Sequence, residues 1–160
     1  MAVRNSPATK PTEREIVITR IFDAPRELVF KAWIDPKHVA RWWGPQGFTN
    51  PVCELDARPG GAIHIHMRGP DGVVYPMKGV FREVVEPERL VFTTSAFEDE
   101  EGQPQLEGLT TVTFVEHEGK TKLTLHAVAR GTPEAAAALA GMEEGWSQSL
   151  DKLAGHLAKA

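Results

Sequence analysis

The hydrophobic period of this chain changes once, near residue 130, and that change limits the folds open to it. Ahead of the change, "VCELD", "GAIHIHM", "VVYPMKGVFREVV", "RLVFTTSAF", "LTTVTFVEH" and "TKLTLHAVA" occupy residues 52–129 with a period near two, as six strands would. Beyond it, Leu139, Met142, Trp146, Leu150, Leu153 and Leu157 recur at steps of three and four, one apolar stripe on a helix. Thr132 and Pro133 mark where that helix should begin, so it is expected to run unbroken to the C-terminal end.

Turn signals separate the strands at Pro59-Gly60-Gly61, Gly69-Pro70-Asp71-Gly72, Glu86-Pro87-Glu88, the acidic run Glu98 to Glu101, and Glu118-Gly119. Separators this short join antiparallel neighbours. "EIVITRIF", Glu15 to Phe22, adds a seventh strand in front. Pro76 cannot donate to a ladder, so its strand should be irregular or at an edge there. Between the first strand and the rest lie two short helices. The first takes Asp23 as its cap and Pro25 in its first turn. The second takes Asp35 as cap and Pro36 as its first residue, and ends where Gly44 adopts a left-handed conformation before Pro45.

A sheet that must cover a one-sided helix curls around it. The expected class is α+β: a curved antiparallel seven-stranded sheet around a long C-terminal helix, with two short helices after the first strand. At 160 residues, one domain over residues 13–160 has enough chain for an ordinary core, and residues 1–12 read as a flexible tail. A curved sheet and a cylinder do not mate perfectly, so this arrangement tends to leave a cavity. The adjacent Trp42 and Trp43 fit its end, since neighbouring helical residues point about 100° apart and one ring can enter the core while the other rims the opening.

Several functional classes are disfavoured. Only Cys53 is present, which rules out an internal disulfide and makes a reducing cytoplasm the simplest home. Residues 1–80 carry 11 Lys/Arg against 8 Asp/Glu and residues 81–160 carry 7 against 14, with no basic stripe for nucleic acid. No segment reads as a signal peptide or membrane span. His64 and His66 share one face of a strand and, with a third ligand, would suffice for zinc. However, Ile63, Ile65 and Met67 take the natural inner face, so the histidines are expected outside and no metal is assigned. Cys53 would need a base to lower its pKa. Ser147 and Ser149 have no nucleophile context. Gly141 and Gly145 within the helix leave two readings open, room for a ligand or close packing on the sheet.

"RWWGPQGF" after "VFKAWIDP", followed by "RPGGAIHIHMRGPDG", "GVFREVVEPERLVFT" and "GWSQSLDKLAGHL", resembles the activator of heat-shock protein 90 ATPase homologue family. The resemblance spans about Arg14 to Leu157. It implies a START-like (SRPBCC) helix-grip domain with a hydrophobic pocket between sheet and C-terminal helix, and its motifs match the family's small C-terminal-type domain rather than the ATPase-stimulating one. The pocket residues expected from the facing elements are Trp42, Phe48, Met67, Phe92, Met142 and Trp146, with Tyr75 and His126 as polar members. The function this implies is binding of a hydrophobic small molecule by a monomer or homodimer, without a cofactor. Two alternatives stand beside it: a co-chaperone-like module contacting a chaperone through Glu98 to Glu101, and a cyclase or hydrolase in which groups such as His126 and Glu144 converge inside the cavity. Fold alone does not choose among them.

Overall fold

A computed structural model describes residues 12–159. The tail expected over residues 1–12 lies outside them except for Thr12, which opens the first strand. The strands are β1 (Thr12–Phe22), β2 (Thr49–Leu55), β3 (Ala62–Arg68), β4 (Val74–Val85), β5 (Arg89–Glu98), β6 (Pro104–His117) and β7 (Lys120–Gly131). They form one curved antiparallel sheet in the order β1-β7-β6-β5-β4-β3-β2. Two helices, α1 (Arg26–Ile34) and α2 (Pro36–Trp42), follow β1, and α3 (Ala136–Ala140) and α4 (Met142–Leu157) follow β7.

The helix starts obey local chemistry unevenly. Asp35 caps α2 by accepting from the Lys37 amide at 2.9 Å, with Pro36 as the first residue. Helix α1 instead opens at Arg26 with Pro25 in the cap position, so Asp23 does not cap it. Gly44 has φ +93°, the left-handed turn that ends α2. Pro76 sits in an interior strand opposite His66, and pairing on the β5 side begins one residue later at Met77–Ala96, so the missing donor falls where that ladder stops.

The C-terminal stripe is not one unbroken helix. A 3-10 turn (Pro133–Ala135) leads into α3, and the axis breaks at Gly141, whose φ of −89° and ψ of 4° leave the helical well. Thr132 does not cap this segment; its hydroxyl bonds the Gln105 side-chain oxygen at 3.2 Å. The stripe is divided in use as well. Leu150, Leu153 and Leu157 are buried in the core, whereas Met142 and Trp146 are only half-buried. Edge strand β1 is tied to this region by Arg20, 2.8 Å from Asp151, and by Arg14, which donates to the Ala140 carbonyl at 2.8 Å.

Gly145 lies inside α4, where an added Cβ would meet only the Pro45 ring at 3.7 Å, an ordinary contact. Close packing on the sheet does not explain this glycine. Gly145→Ala is expected to stabilise the fold by up to about 1 kcal/mol through helix propensity, read as a higher urea midpoint with unchanged slope.

The register of the sheet explains where the core ends. Rows of inward residues run across β5, β6 and β7: Leu90–Val112–Leu125, then Phe92–Thr110–Ala127, then Thr94–Gly108–Ala129, then Ala96–Leu106–Gly131. The first row is fully buried, on the part of the sheet that α1 packs against. Between the first row and the third, side-chain volume falls on all three strands, from Leu90 to Thr94, from Val112 to Gly108 and from Leu125 to Ala129. Large residues fill the closed end of the grip, and small ones leave the other end underfilled.

Candidate functional site

The underfilled rows form the floor of a cleft of about 630 Å³, open to solvent, between the sheet and α3–α4. Its floor is Ala96, Thr110, Ala127 and Ala129, and its walls are Trp43, Phe48, Met67, Tyr75, Met77 and Trp146. Leu139 and Met142 form its roof. The volume lies within the usual range for small-molecule sites, roughly 300–1,000 Å³.

Five of the eight residues expected from sequence come together here: Phe48, Met67, Tyr75, Met142 and Trp146. Three do not. Trp42 is fully buried, with its indole Nε1 donating to the Ala32 carbonyl at 2.9 Å and its ring 4.6 Å from Trp33. The ring at the cleft is Trp43, which stands edge-on to Trp146 at 5.3 Å. Phe92 shares a row with the floor residues Thr110 and Ala127 but is buried against Phe81 and Trp33, away from the cleft. His126 projects from the opposite face of β7, where its Nε2 meets the carboxylate of Glu15.

Small residues are what the sequence reading missed. Ala96, Thr94, Gly108, Ala127 and Ala129 define the space by what they lack, and an inventory of aromatics and methionines does not register them. A signal existed: the third inner row, Thr94–Gly108–Ala129, is smaller than the first on all three adjacent strands.

The loop between α2 and β2 carries Trp43 and Phe48, and α4 clamps it. The Lys152 ammonium lies within hydrogen-bonding reach of four carbonyls, those of Trp43 (3.5 Å), Gly44 (3.2 Å), Pro45 (3.3 Å) and Phe48 (3.3 Å). Burial holds its pKa below the ordinary lysine value. Asn50 donates to the Ala40 and Trp43 carbonyls at 3.1 and 2.9 Å, closing the end of α2, and Gln148 accepts from the Gln46 amide at 3.0 Å. Lys152→Met keeps the length of the side chain and removes the donors. It is expected to speed hydrogen exchange across residues 43–48 and to weaken binding in the cleft several-fold, with the sheet amides unchanged.

The charged side chain at the cleft is that of Glu134, exposed at its rim; Glu107 also borders it, but alternation with Leu106 and Gly108 sends its side chain to the outer face of the sheet. Buried hydroxyls are supplied by Thr110 and Ser149, 3% and 4% exposed. Among the described residues no acid–base pair converges inside: Glu144 is exposed and bonded to Gln148, and His126 is on the outer face. Cys53 is not a poised nucleophile, because burial, aided by the charge of Glu54, pushes its thiol up to about 11.

A family model described as Activator of Hsp90 ATPase homolog 1-like protein matches residues 23–158. No curated protein matches the chain. Among solved structures, a protein from Chromobacterium violaceum is 33% identical over 88% of this chain and 94% of its own, with a TM-score of 0.71. The AHSA1 protein from Silicibacter pomeroyi is 26% identical over 91% of this chain and 98% of its own, with a TM-score of 0.74. A protein from Nitrosomonas europaea, at 23% identity over 91% and 94%, shares the fold with a TM-score of 0.76. No helix among the described residues is long and apolar enough to cross a membrane. With this match over most of its length and the helix-grip architecture around a C-terminal helix, the chain belongs to the Activator of Hsp90 ATPase homolog 1-like family.

Proposed function

We propose that the protein binds a small, mainly apolar molecule in the cleft between the sheet and α3–α4. The observation that carries this is the in-register loss of side-chain volume from Leu90–Val112–Leu125 to Thr94–Gly108–Ala129. A chain selected only for stability gains by filling such rows, because apolar burial is worth roughly 25 cal/mol per Å². Leaving them small beside Trp43, Trp146, Tyr75 and three methionines makes a surface suited to a flat or branched hydrophobic ligand.

The lining also sets a preference of charge. With Glu134 as the charged side chain at its rim, the cleft favours neutral or cationic ends over carboxylates. Indole fluorescence titrated with N-phenyl-1-naphthylamine, a neutral probe, should saturate. Of two competitors of equal chain length, decylamine should displace the probe at concentrations at least tenfold lower than decanoate at low salt. A probe that never saturates removes the reading. A preference for decanoate leaves the cleft as a site and removes the charge assignment.

The family description names a chaperone ATPase, and the surface feature that favours such a partner is the exposed acidic turn Glu98 to Glu101. Asp99 there accepts from the amides of Glu101 and Gln103, both at 2.9 Å. A stimulated chaperone ATP turnover that charge reversal at Glu100 and Glu101 abolishes would support this second reading, and no effect on turnover would remove it.

A further inference from the structure

The outer face of β3 carries a second arrangement unrelated to the cleft. His64 and His66 alternate with the buried Ile63 and Ile65, so both rings leave the sheet on the side away from the core. They lean together: the two Nε2 atoms are 3.0 Å apart, with ring centroids at 4.7 Å and planes at 86°. On the neighbouring edge strand, Glu54 pairs with His64 in register, and its Oε1 lies 3.3 Å from His64 Nδ1.

We propose that His64 and His66 form a two-histidine site for a late first-row divalent metal of the copper or nickel class. Imidazole nitrogens bind such ions at about 2.0–2.1 Å, so two donors at a right angle stand about 2.9 Å apart and two at a tetrahedral angle about 3.3 Å. The observed separation is nearer the right-angled value, which tetragonal copper and nickel prefer and zinc does not. Glu54 supplies the outer support. By accepting the proton of His64 Nδ1, its carboxylate leaves Nε2 as the lone-pair donor and fixes the ring.

The surroundings leave the site accessible. His64 is 41% exposed at the side chain, and Lys78, opposite it on β4, is engaged by Glu98 at 2.8 Å. Among the described residues no group of three or more His, Cys, Asp or Glu could hold a metal, so the site has two protein ligands and water completes it. Its affinity is therefore below that of closed four-ligand sites.

One other imidazole pair provides the control. His38 Nδ1 and His156 Nε2 are 2.8 Å apart between α2 and α4, but at His156 burial first, and then the neighbouring His38, Arg41 and Lys159, oppose a cation. Calorimetric titration of the full chain with Cu²⁺, Ni²⁺ and Zn²⁺ alone, in a non-chelating buffer, tests the assignment. The expected result is one site, tightest for Cu²⁺ and weakest for Zn²⁺. His64→Ala and His66→Ala should each weaken Ni²⁺ binding at least tenfold, Glu54→Gln by a smaller factor, and His38→Ala not at all. Metal should raise the melting temperature of the wild type and not of the folded His66→Ala variant. No saturation at millimolar metal overturns the proposal. So does equal affinity in wild type and both histidine variants, or a loss that follows His38→Ala instead.

Discussion

Trp42→Ala is expected to remove most of the stability of the fold. The ring is fully buried, sits 4.6 Å from Trp33, and its Nε1 is the donor that satisfies the Ala32 carbonyl at 2.9 Å. Truncating a buried tryptophan costs about 3–5 kcal/mol. A buried carbonyl left without its donor adds about 1–3 kcal/mol. Typical domains have only about 5–15 kcal/mol in total, so urea denaturation should begin near zero denaturant. The neighbouring Trp43→Ala should behave differently. Its ring is half-buried at the cleft wall against Trp146 and Phe92, so its loss should cost less than half as much stability. What it should lose is probe binding, by at least tenfold. Equal destabilisation by both substitutions would mean that the two rings share one role.

Ala129→Trp tests the empty rows from the other direction. Ala129 lies in the row with Thr94 and Gly108, on the cleft floor. Forcing an indole into a packed core costs about 1–3 kcal/mol or more. Into a cleft of about 630 Å³ it should cost less than about 1 kcal/mol while reducing probe affinity at least a hundredfold. Gly108 is the wrong place for the same experiment, because even a Cβ there would meet the Thr94 hydroxyl at 2.9 Å. A strongly destabilised Ala129→Trp would show that the volume is not available.

The architecture was legible because it depends on periods, and periods survive local irregularity. Seven strands, the antiparallel pairing of neighbours joined by short turns and the two short helices follow from alternation and turn residues, whereas the pairing of β1 with β7 does not. The single long helix did not follow, because an apolar stripe stays in phase across Gly141 although the backbone breaks there. Nor did the Asp23 cap, since Pro25 itself takes the cap position of α1. For the site, Phe48, Met67, Tyr75, Met142 and Trp146 could be placed by asking which elements face one another. The choice between Trp42 and Trp43 could not, because the 100° step between them says that they diverge and not which one turns inward. Phe92 stands in the row of Thr110 and Ala127, and strand phase alone does not say that its ring turns toward Phe81 and Trp33. His126 is a matter of strand phase: it lies between the buried Leu125 and Ala127, so strict alternation sends it outward to Glu15.

The methionine methyls report directly on whether a ligand occupies the cleft. Met67, Met77 and Met142 come from β3, β4 and α4, and all three line the cleft. In protein labelled with ¹³C at the methionine methyls, titration with N-phenyl-1-naphthylamine should shift these three resonances together. They should follow one binding curve that Ala129→Trp abolishes. Three unmoved methyls alongside a saturating change in indole fluorescence would place the probe elsewhere and rule out the cleft as its site.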